Sequence, residues 1–141
     1  MKKPLILNLV LAIVAVSICG CQTLGPGPSD EQLISTMMTD WKAAMKTADL
    51  NQLMATYSED YVSERGDNKE SMRDWMGRAF DEGVMDSVEV RIEDAQITIK
   101  GDEAVFGPVE FVSDRGKFVL DYKLRKENGI WLIAGSENQN Q

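Results

Sequence analysis

The residue types available for chemistry are restricted at the outset. The chain of 141 residues contains no histidine, which removes the commonest general base and the commonest transition-metal ligand. Its two cysteines, Cys19 and Cys21, both lie close to the N-terminus. Any catalysis in the rest of the chain would therefore depend on carboxylates, tyrosines or lysines.

The sequence predicts neither a metal site nor a cofactor site. The acidic residues between Glu59 and Asp67 lack the alternating Asp/Asn spacing and the glycine of a calcium loop. No glycine-rich phosphate loop or nucleophile elbow is present in the sequence. We expect these acidic residues to form a solvated surface.

Residues 1–20 have the layout of a secretory signal peptide. Lys2 and Lys3 give a positive start, and an apolar stretch runs from Leu5 to Ile18. This stretch is shorter than the roughly 18 apolar residues that a helix needs to cross a bilayer. We therefore expect it to be removed rather than to span a membrane.

The segment Ile18-Cys19-Gly20-Cys21 resembles the lipobox of bacterial lipoproteins. The small Gly20 precedes Cys21, whereas Ile18 is too large for the position before a modified cysteine. The resemblance implies a diacylglyceryl group on Cys21, cleavage before it, and a stable membrane anchor, since each buried CH₂ contributes about 0.8 kcal/mol. The alternatives are an unmodified signal peptide cut nearby, or a buried core cysteine.

The resemblance to lipoproteins also implies a location, which is the cell envelope. Gln22 rather than Asp follows Cys21. In bacteria with two membranes, lipoproteins without Asp at this position are usually carried to the outer membrane. We expect a domain that faces the periplasm there, if the source has such an envelope.

The remaining 121 residues suit one domain with its own core. The leader removes two of the 15 basic residues and none of the 23 acidic ones, which leaves a net charge of −10. Such an acidic chain argues against nucleic acid as a partner and against binding to anionic lipid head groups. We predict a lipidated Cys21 and a short tether over 21–28, a domain over 29–135, and a frayed polar tail over 136–141.

The domain is expected to begin with a long amphipathic helix. Ser29 and Gln32 have the spacing of a capping box. Apolar residues then recur at steps of three and four, as Leu33, Ile34, Met37, Met38, Trp41, Ala44, Met45 and Ala48. One face of this helix should pack against a core.

Two shorter helices are predicted to follow. Asp49 is expected to cap the second, which would run to Tyr57. Asp67, with Glu70 in capping-box register, is expected to cap the third, which would end at Gly83. Between them, a short extended piece is predicted at 61–62.

Beyond Gly83 the apolar residues alternate, which predicts strands. We expect one long strand over 88–99 with a bend at 93–95, and three more over 104–112, 117–125 and 130–134. Pro108 indicates an edge or a bulge in the strand over 104–112. Helices followed by an antiparallel meander define the α+β class.

This order resembles the nuclear transport factor 2-like superfamily, which includes SnoaL-like polyketide cyclases and ketosteroid isomerases. The stretches ITIKGDEAVFG and LRKENGIWLIAG resemble its final hairpins, and the resemblance covers Ser29 to about Ala134. It implies a cone in which three N-terminal helices pack on a curved antiparallel sheet around an apolar pocket. A cystatin-like fold with a single long helix is the alternative.

If the cone is formed, we expect its pocket to be lined by Trp41, Met45, Tyr57, Trp75 and Tyr122. A mechanism of the ketosteroid isomerase type would also need a carboxylate base and a hydrogen-bond donor in the pocket. The candidate residues are Tyr57, Asp60 and Asp121. We expect Tyr57 to be a core aromatic, Asp60 a helix-end charge and Asp121 an outward residue, so that no catalytic residue is assigned.

The direction of Asp121 follows from strand alternation. In the run FVLDYKL, Asp121 shares a face with Val119 and Lys123, and the apolar residues Leu120 and Tyr122 share the other. If the apolar face lines the pocket, Asp121 points outward. This argues against a role as the base.

Fold alone does not choose among three functions. The first is noncatalytic binding of a small apolar ligand or an envelope protein by a lipid-anchored domain. This domain would form a homodimer through the outer face of its sheet, with Val119, Leu132 and Ala134. The second is an acid/base isomerase or dehydratase, and the third is a purely structural envelope lipoprotein.

Overall fold

The computed structural model describes residues 25–139. The predicted signal peptide, Cys21 and the first part of the tether lie outside the described residues. Residues 25–28 of the tether are exposed and have no secondary structure. Within 25–139, no helix is both long enough and apolar enough to cross a membrane.

The described residues form three α-helices, one 3₁₀ turn and six strands. The helices are α1 (Asp30–Thr47), α2 (Leu50–Ala55) and α3 (Lys69–Asp81), and the 3₁₀ turn at Val84–Ser87 follows α3. The strands are β1 (Tyr57–Ser63), β2 (Glu89–Arg91), β3 (Gln96–Lys100), β4 (Glu103–Ser113), β5 (Gly116–Glu127) and β6 (Ile130–Asn138).

Helix α1 begins as predicted. The Ser29 hydroxyl accepts the Gln32 backbone N–H at 3.2 Å, and the Gln32 side chain accepts the Ser29 N–H at 2.9 Å. Its core-facing side is formed by Ile34, Met38, Trp41, Ala44 and Met45, which are buried. The apolar stripe of the sequence therefore becomes the face that covers the sheet.

Helix α2 is shorter than predicted, because it ends at Ala55 and Tyr57 already belongs to β1. The Thr56 carbonyl accepts the Ile133 N–H at 2.8 Å. This bond joins the chain to β6, which is more than 70 residues away in sequence. Helical periodicity could not reveal a contact with so distant a strand.

The predicted cap of α3 was wrong by one residue. Asn68, not Asp67, caps the helix, and its side chain accepts the Ser71 N–H at 2.9 Å. The Asp67 carboxylate instead accepts the Ser63 hydroxyl at 3.0 Å, which closes the loop between β1 and α3. The helix stops where it was expected to, since Gly83 has a φ of 67°.

The six strands form one mixed sheet in the order β1-β6-β5-β4-β2, and β3 also pairs with β4. Strand β1 runs parallel to β6, whereas the other pairs are antiparallel. The expectation of a purely antiparallel sheet was therefore wrong. The alternating pattern reveals hairpins between successive strands, but not the parallel partner of an isolated one.

The predicted long strand over 88–99 is two strands, β2 and β3, which pair with different parts of β4. Strand β4 carries a bulge between Phe106 and Val109, where Gly107 and Pro108 stand opposite Asp121. The bulge reverses which alternate side chains of β4 face the core. The apolar alternation changes in the same way between β2 and β3, which pair with β4 on the two sides of the bulge. Pro108 therefore marks a bulge, and not an edge, because β4 lies inside the sheet.

Strand β6 extends to Asn138 and corrects the predicted domain end at 135. Ser136 pairs with Tyr122 of β5 and with Ser63 of β1. Its neighbours on both sides provide hydrogen bonds that a polar composition does not reveal. The frayed tail predicted over 136–141 is therefore a strand as far as residue 138.

The start of α1 is fixed to the hairpin between β5 and β6. The Asp30 carboxylate accepts the Trp131 indole N–H at 2.9 Å and the Lys126 ammonium at 2.8 Å. These donors, Lys126 foremost, lower the pKa of Asp30 below its usual value. They close one end of the layer between the helices and the sheet.

The helices cover the inner face of the sheet, and the core lies between the two layers. The residues of this core run from Ile34 to Ile133, so the described domain contains its own core. The outer face carries ion pairs, among them Lys117–Glu110 at 2.8 Å and Lys123–Glu137. Val119 is buried, and Leu132 and Ala134 are partly buried. The homodimer through this face stays a prediction.

Candidate functional site

A cavity of about 700 Å³ lies between the helices and the inner face of the sheet. Helix α1 contributes Trp41 and Met45 to its wall, and α3 contributes Met72, Trp75 and Met76. The sheet side of the wall consists of Tyr57, Tyr61, Phe111, Phe118, Leu120, Tyr122 and Ser136. The wall is therefore mainly aromatic and aliphatic, with a few hydroxyl groups.

The five residues that were predicted to line a pocket all lie in this wall. Trp41, Met45, Tyr57 and Tyr122 are buried, whereas Trp75 is 50% exposed. Trp75 lies on the same side of α3 as Met72 and Met76, at the opening of the cavity. That a ligand contacts these residues stays a prediction.

The aromatic rings in the wall pack edge to face. The ring of Trp41 lies 5.3 Å from that of Tyr122 and 6.1 Å from that of Phe111. The rings of Tyr57 and Tyr61 are 5.0 Å apart and nearly perpendicular. Such pairs fix each other's orientation, so this part of the wall is preorganised.

A hydrogen-bond network connects the hydroxyl groups of the wall. The Trp41 indole N–H donates to the Tyr57 hydroxyl at 3.3 Å, and the hydroxyl groups of Tyr57 and Tyr122 interact with each other. Tyr61 and Ser136 share a hydrogen bond of 3.0 Å. Tyr57 thus accepts from Trp41 and lies at the centre of this network.

The tyrosines of the cavity are neutral at physiological pH. Burial raises the pKa of Tyr57 and places that of Tyr122 well above the usual value of 10.0. The pKa of Tyr61 is also raised, mainly by burial. The tyrosine hydroxyls can therefore donate or accept hydrogen bonds. Their ionised form, the phenolate that could act as a base, is disfavoured.

The two candidate carboxylates lie on the outer face of the sheet, away from the cavity. Asp60 pairs with Arg125 at 3.2 Å, and its side chain is 82% exposed. Asp121 accepts the Gln139 side-chain amide at 2.5 Å and packs against Gly107. The structure therefore brings Tyr57 into the cavity and separates it from Asp60 and Asp121. The outward direction of Asp121 agrees with strand alternation.

The opening of the cavity, called the mouth here, is formed by Trp75, Val84, Phe118 and charged residues beside them. Trp75, Val84 and Phe118 are between 43% and 50% exposed. The charged residues that line the cavity in this region are Glu64, Arg65, Asp67 and Arg78. The carboxylates of Glu64 and Asp67 accept hydrogen bonds from Asn138 and Ser63, at 3.0 Å each.

A metal site is not formed by the acidic residues that follow Tyr57. Glu59 pairs with Lys69 at 2.6 Å, whereas Asp60 turns to Arg125 on the other face. Over residues 25–139, no group of three or more acidic, histidine or cysteine side chains could hold a metal ion.

Several residues of the wall were not predicted from the sequence. Phe118 and Leu120 share strand alternation with Tyr122, so a signal for them was present in the sequence. Phe111 stacks on Phe118 with a centroid distance of 4.4 Å across two strands. For Arg65 and Arg78 there was no such signal, because their places depend on how α3 packs against the sheet.

The sequence and the fold were compared with known proteins. The sequence model of the SnoaL-like domain matches residues 34–136. No curated protein matches this chain.

Solved structures that resemble this chain share its fold at low sequence identity. A protein of unknown function with a cystatin-like fold from Nostoc punctiforme has a TM-score of 0.59 and 19% identity, over 77% of this chain and 89% of that one. An NTF2-like protein of unknown function from Shewanella baltica has a TM-score of 0.58 and 14% identity, over 79% and 94%. A putative calcium/calmodulin dependent protein kinase II association domain from Xanthomonas campestris has a TM-score of 0.59 and 17% identity, over 80% and 89%.

The two comparisons agree with the described architecture. The neighbours include both NTF2-like and cystatin-like proteins, and their low identity shows the fold alone. The predicted α+β cone, with helices packed on a curved sheet, is confirmed. Since the family match spans residues 34–136, which is most of the chain, the protein belongs to the SnoaL-like domain family.

Proposed function

We propose that this protein is a noncatalytic binding domain that takes a small apolar molecule into its cavity and is held at a cell envelope by a lipid on Cys21. The observation that carries the binding proposal is the composition of the wall. A cavity of about 700 Å³ lies in the size range of ligand pockets and is lined by aromatic rings, thioethers and neutral hydroxyls. The carboxylates that line it, Glu64 and Asp67, both have exposed side chains.

The wall favours an apolar ligand for two reasons. Each Å² of apolar surface removed from water contributes roughly 25 cal/mol, and the methionines adapt their shape to a ligand. The Tyr57 hydroxyl, which accepts from Trp41, also carries a proton that can donate to a ligand oxygen. Tyr57 would thus orient the ligand rather than react with it.

An acid/base isomerase or dehydratase is the less favoured alternative. It would need a carboxylate within reach of the ligand, next to a hydrogen-bond donor. Asp60 and Asp121 lie on the outer face, so the donor Tyr57 has neither of them beside it. A purely structural role would not require a preorganised cavity.

The position of the tether is compatible with an anchored binding domain. The tether enters α1 at Asp30, beside Trp131, whereas Trp41 and Met45 line the cavity further along the helix. At 1.5 Å per residue, these side chains lie roughly 16 to 22 Å from the start of the helix. A lipid on Cys21 would therefore hold the closed end near the bilayer and leave the mouth accessible.

Ligand binding is tested on residues 22–141, which contain the whole described core. We expect small apolar molecules to raise the melting temperature and to change the fluorescence of Trp41 and Trp75. Leu120→Trp should fill the cavity and abolish both effects. A folded domain, checked by circular dichroism, that responds to no apolar molecule would contradict the proposal.

The anchor is tested separately on the full chain. We expect a fatty-acid probe to label the protein in bacterial cells and Cys21→Ser to abolish labelling and move the protein out of the membrane fraction. Cys19→Ser serves as the matched control and should change neither result. Equal fractionation of Cys21→Ser and the unaltered chain would contradict the lipid anchor.

A further inference from the structure

The six arginines of residues 25–139 differ in their partners, and Arg115, which does not line the cavity, makes no side-chain hydrogen bond or ion pair there. Arg73, Arg91 and Arg125 bond the side chains of Asn51, Glu89 and Glu127, respectively. Arg65 and Arg78 line the cavity and make no side-chain hydrogen bond or ion pair among the described residues. Two permanent positive charges with no partner in the described part of the chain therefore line an apolar cavity.

We propose that the ligand of the cavity is an anionic amphiphile whose head group pairs with Arg65 or Arg78 while its apolar chain enters the cavity beside Trp41 and Tyr122. This inference rests on the proposed function and names the chemical class of its ligand. A guanidinium stays protonated in proteins and matches the two oxygens of a carboxylate or phosphate.

Among the described residues, Arg65 and Arg78 are unpaired in a chain that is rich in carboxylates. The sequence has 23 acidic and 15 basic residues, so carboxylates are in excess. Lysines elsewhere use this excess, as in the pairs of Lys69 with Glu59 and Lys126 with Asp30. Arg65 and Arg78 do not, even though acidic residues line the same cavity.

Hydrogen bonds to a backbone N–H and to a hydroxyl hold the carboxylates of Glu64 and Asp67. The Glu64 carboxylate accepts the Asn138 backbone N–H, and the Asp67 carboxylate accepts the Ser63 hydroxyl. Both carboxylates repel an anion, so binding must come from the guanidinium groups, which offer several donors each. The side chains of Arg65 and Arg78 are exposed, so their guanidinium groups stay hydrated until a head group binds.

Partly exposed apolar side chains line the same cavity as the arginines and fit the apolar chain of an amphiphile. Trp75 precedes Arg78 by three residues on α3, so the two lie on neighbouring positions of one helix face. Phe118 stacks on Phe111 and is 43% exposed, and Val84 is 47% exposed. An amphiphile would cover this apolar surface with the first part of its chain and carry its charge to the arginines.

The test uses residues 22–141 and four probes with the same apolar chain, all below their micelle concentrations. These are dodecanoate, dodecyl phosphate, dodecanol and dodecyltrimethylammonium, and binding is followed by tryptophan fluorescence and calorimetry. We expect either anion to bind about tenfold more tightly than dodecanol, and the cation to bind most weakly. High salt should reduce the preference for the anions.

Matched variants test whether the preference for anions comes from the two arginines. The double variant Arg65→Gln with Arg78→Gln should bind dodecanol as before and lose the preference for anions. Arg73→Gln, on the same helix but bonded to Asn51, should keep it. Leu120→Trp should abolish binding of all four probes, which distinguishes the cavity from the exposed surface.

The outcomes separate this inference from the proposed function. Equal binding of dodecanol and the anions, unchanged in the double variant, overturns the inference and leaves apolar binding intact. Failure of every probe to bind a folded domain overturns both. Tighter binding of an anion that disappears in the double variant supports the inference, and the ratio of dodecanoate to dodecyl phosphate identifies the preferred head group.

Discussion

The Trp41 indole N–H donates to the Tyr57 hydroxyl at 3.3 Å, and these residues lie 16 positions apart in the sequence. Trp41 belongs to α1 and Tyr57 to the first residue of β1, so the bond joins the helix layer to the sheet. Trp41 is fully buried and Tyr57 is 4% exposed. The geometry of the cavity wall therefore depends on a polar contact that water does not readily replace.

We expect Tyr57→Phe to destabilise the domain by about 1 to 3 kcal/mol, because the buried Trp41 N–H loses its acceptor and the Tyr122 hydroxyl loses a polar neighbour. Urea denaturation measures this change. Tyr61→Phe is the matched control, since it removes a single bond to Ser136, and we expect a loss of about 1 kcal/mol. Equal effects of the two substitutions would contradict the role assigned to Tyr57.

The burial of the tyrosines predicts a loss of stability in alkaline solution. The folded pKa of Tyr57 and of Tyr122 is raised above the usual 10.0, so the folded state keeps protons that the unfolded chain releases. The stabilisation is complete below pH 10.0 and is lost as the pH rises through the folded values.

The measurement is the ultraviolet absorbance of phenolate as the pH is raised. All three tyrosines of the chain should ionise near the usual value in denaturant, and at higher pH in the folded domain. Tyr57→Phe should reduce the difference between the two curves. Coincident curves would show that the tyrosines are not buried as described.

We expect Gly107→Ala to destabilise the domain by about 1 to 3 kcal/mol. A Cβ at this position would clash with the Asp121 carboxylate and lie 3.1 Å from its Cα. Asp121 would have to turn away and lose its bond to Gln139. Thermal unfolding measures the effect. Gly101→Ala is a poor control because of its positive φ, so Gly25→Ala, which meets no atom within 4 Å, is used instead.

If Asp121 is the main obstacle, Asp121→Ala should restore part of the stability of the Gly107→Ala variant. The double variant keeps the contact of the new Cβ with the backbone, so recovery is expected to be incomplete. Additive destabilisation by the two substitutions would contradict this explanation.

The contact between Asp30, Lys126 and Trp131 predicts a response to acid. The folded pKa of Asp30 is lowered from its ordinary 3.8, so its contribution to stability is present above that value and is lost as the pH falls through the folded pKa. In Asp30→Asn, stability should be lower at neutral pH and should change less between about pH 5 and pH 2. Asp40→Asn, on the same helix and exposed, is the control. Parallel pH profiles of Asp30→Asn and the unaltered chain would contradict the prediction.

Patterns within one element predicted local features of the fold. The capping box at Ser29 and the apolar stripe that follows it placed α1, because both signals lie within a few turns of one helix. Alternation along β5 placed Tyr122 in the cavity and Asp121 outside it, since successive side chains of a strand point to opposite faces.

Features that depend on distant pairing could not be obtained in this way. Tyr57 was expected at the end of a helix, but it begins a strand that pairs with Ile133. Trp75 was expected with Met72 and Met76 on one apolar face, and only the packing of α3 leaves half of its surface exposed at the mouth. Asp60 was a helix-end charge in the prediction, but it belongs to β1 and pairs with Arg125 of β5 on the outer face.

The sequence by itself determined the class of the fold and the lack of histidine in the chain, and it predicted a lipoprotein-like leader, because composition and short-range periodicity are properties of neighbouring residues. Only the tertiary structure decided that β1 lies parallel to β6, that three tyrosines meet in one cavity, and that Arg65 and Arg78 border it without side-chain partners in residues 25–139. Each of these features requires residues far apart in the chain to come together. Their position depends on the packing of the helices against the sheet as a whole.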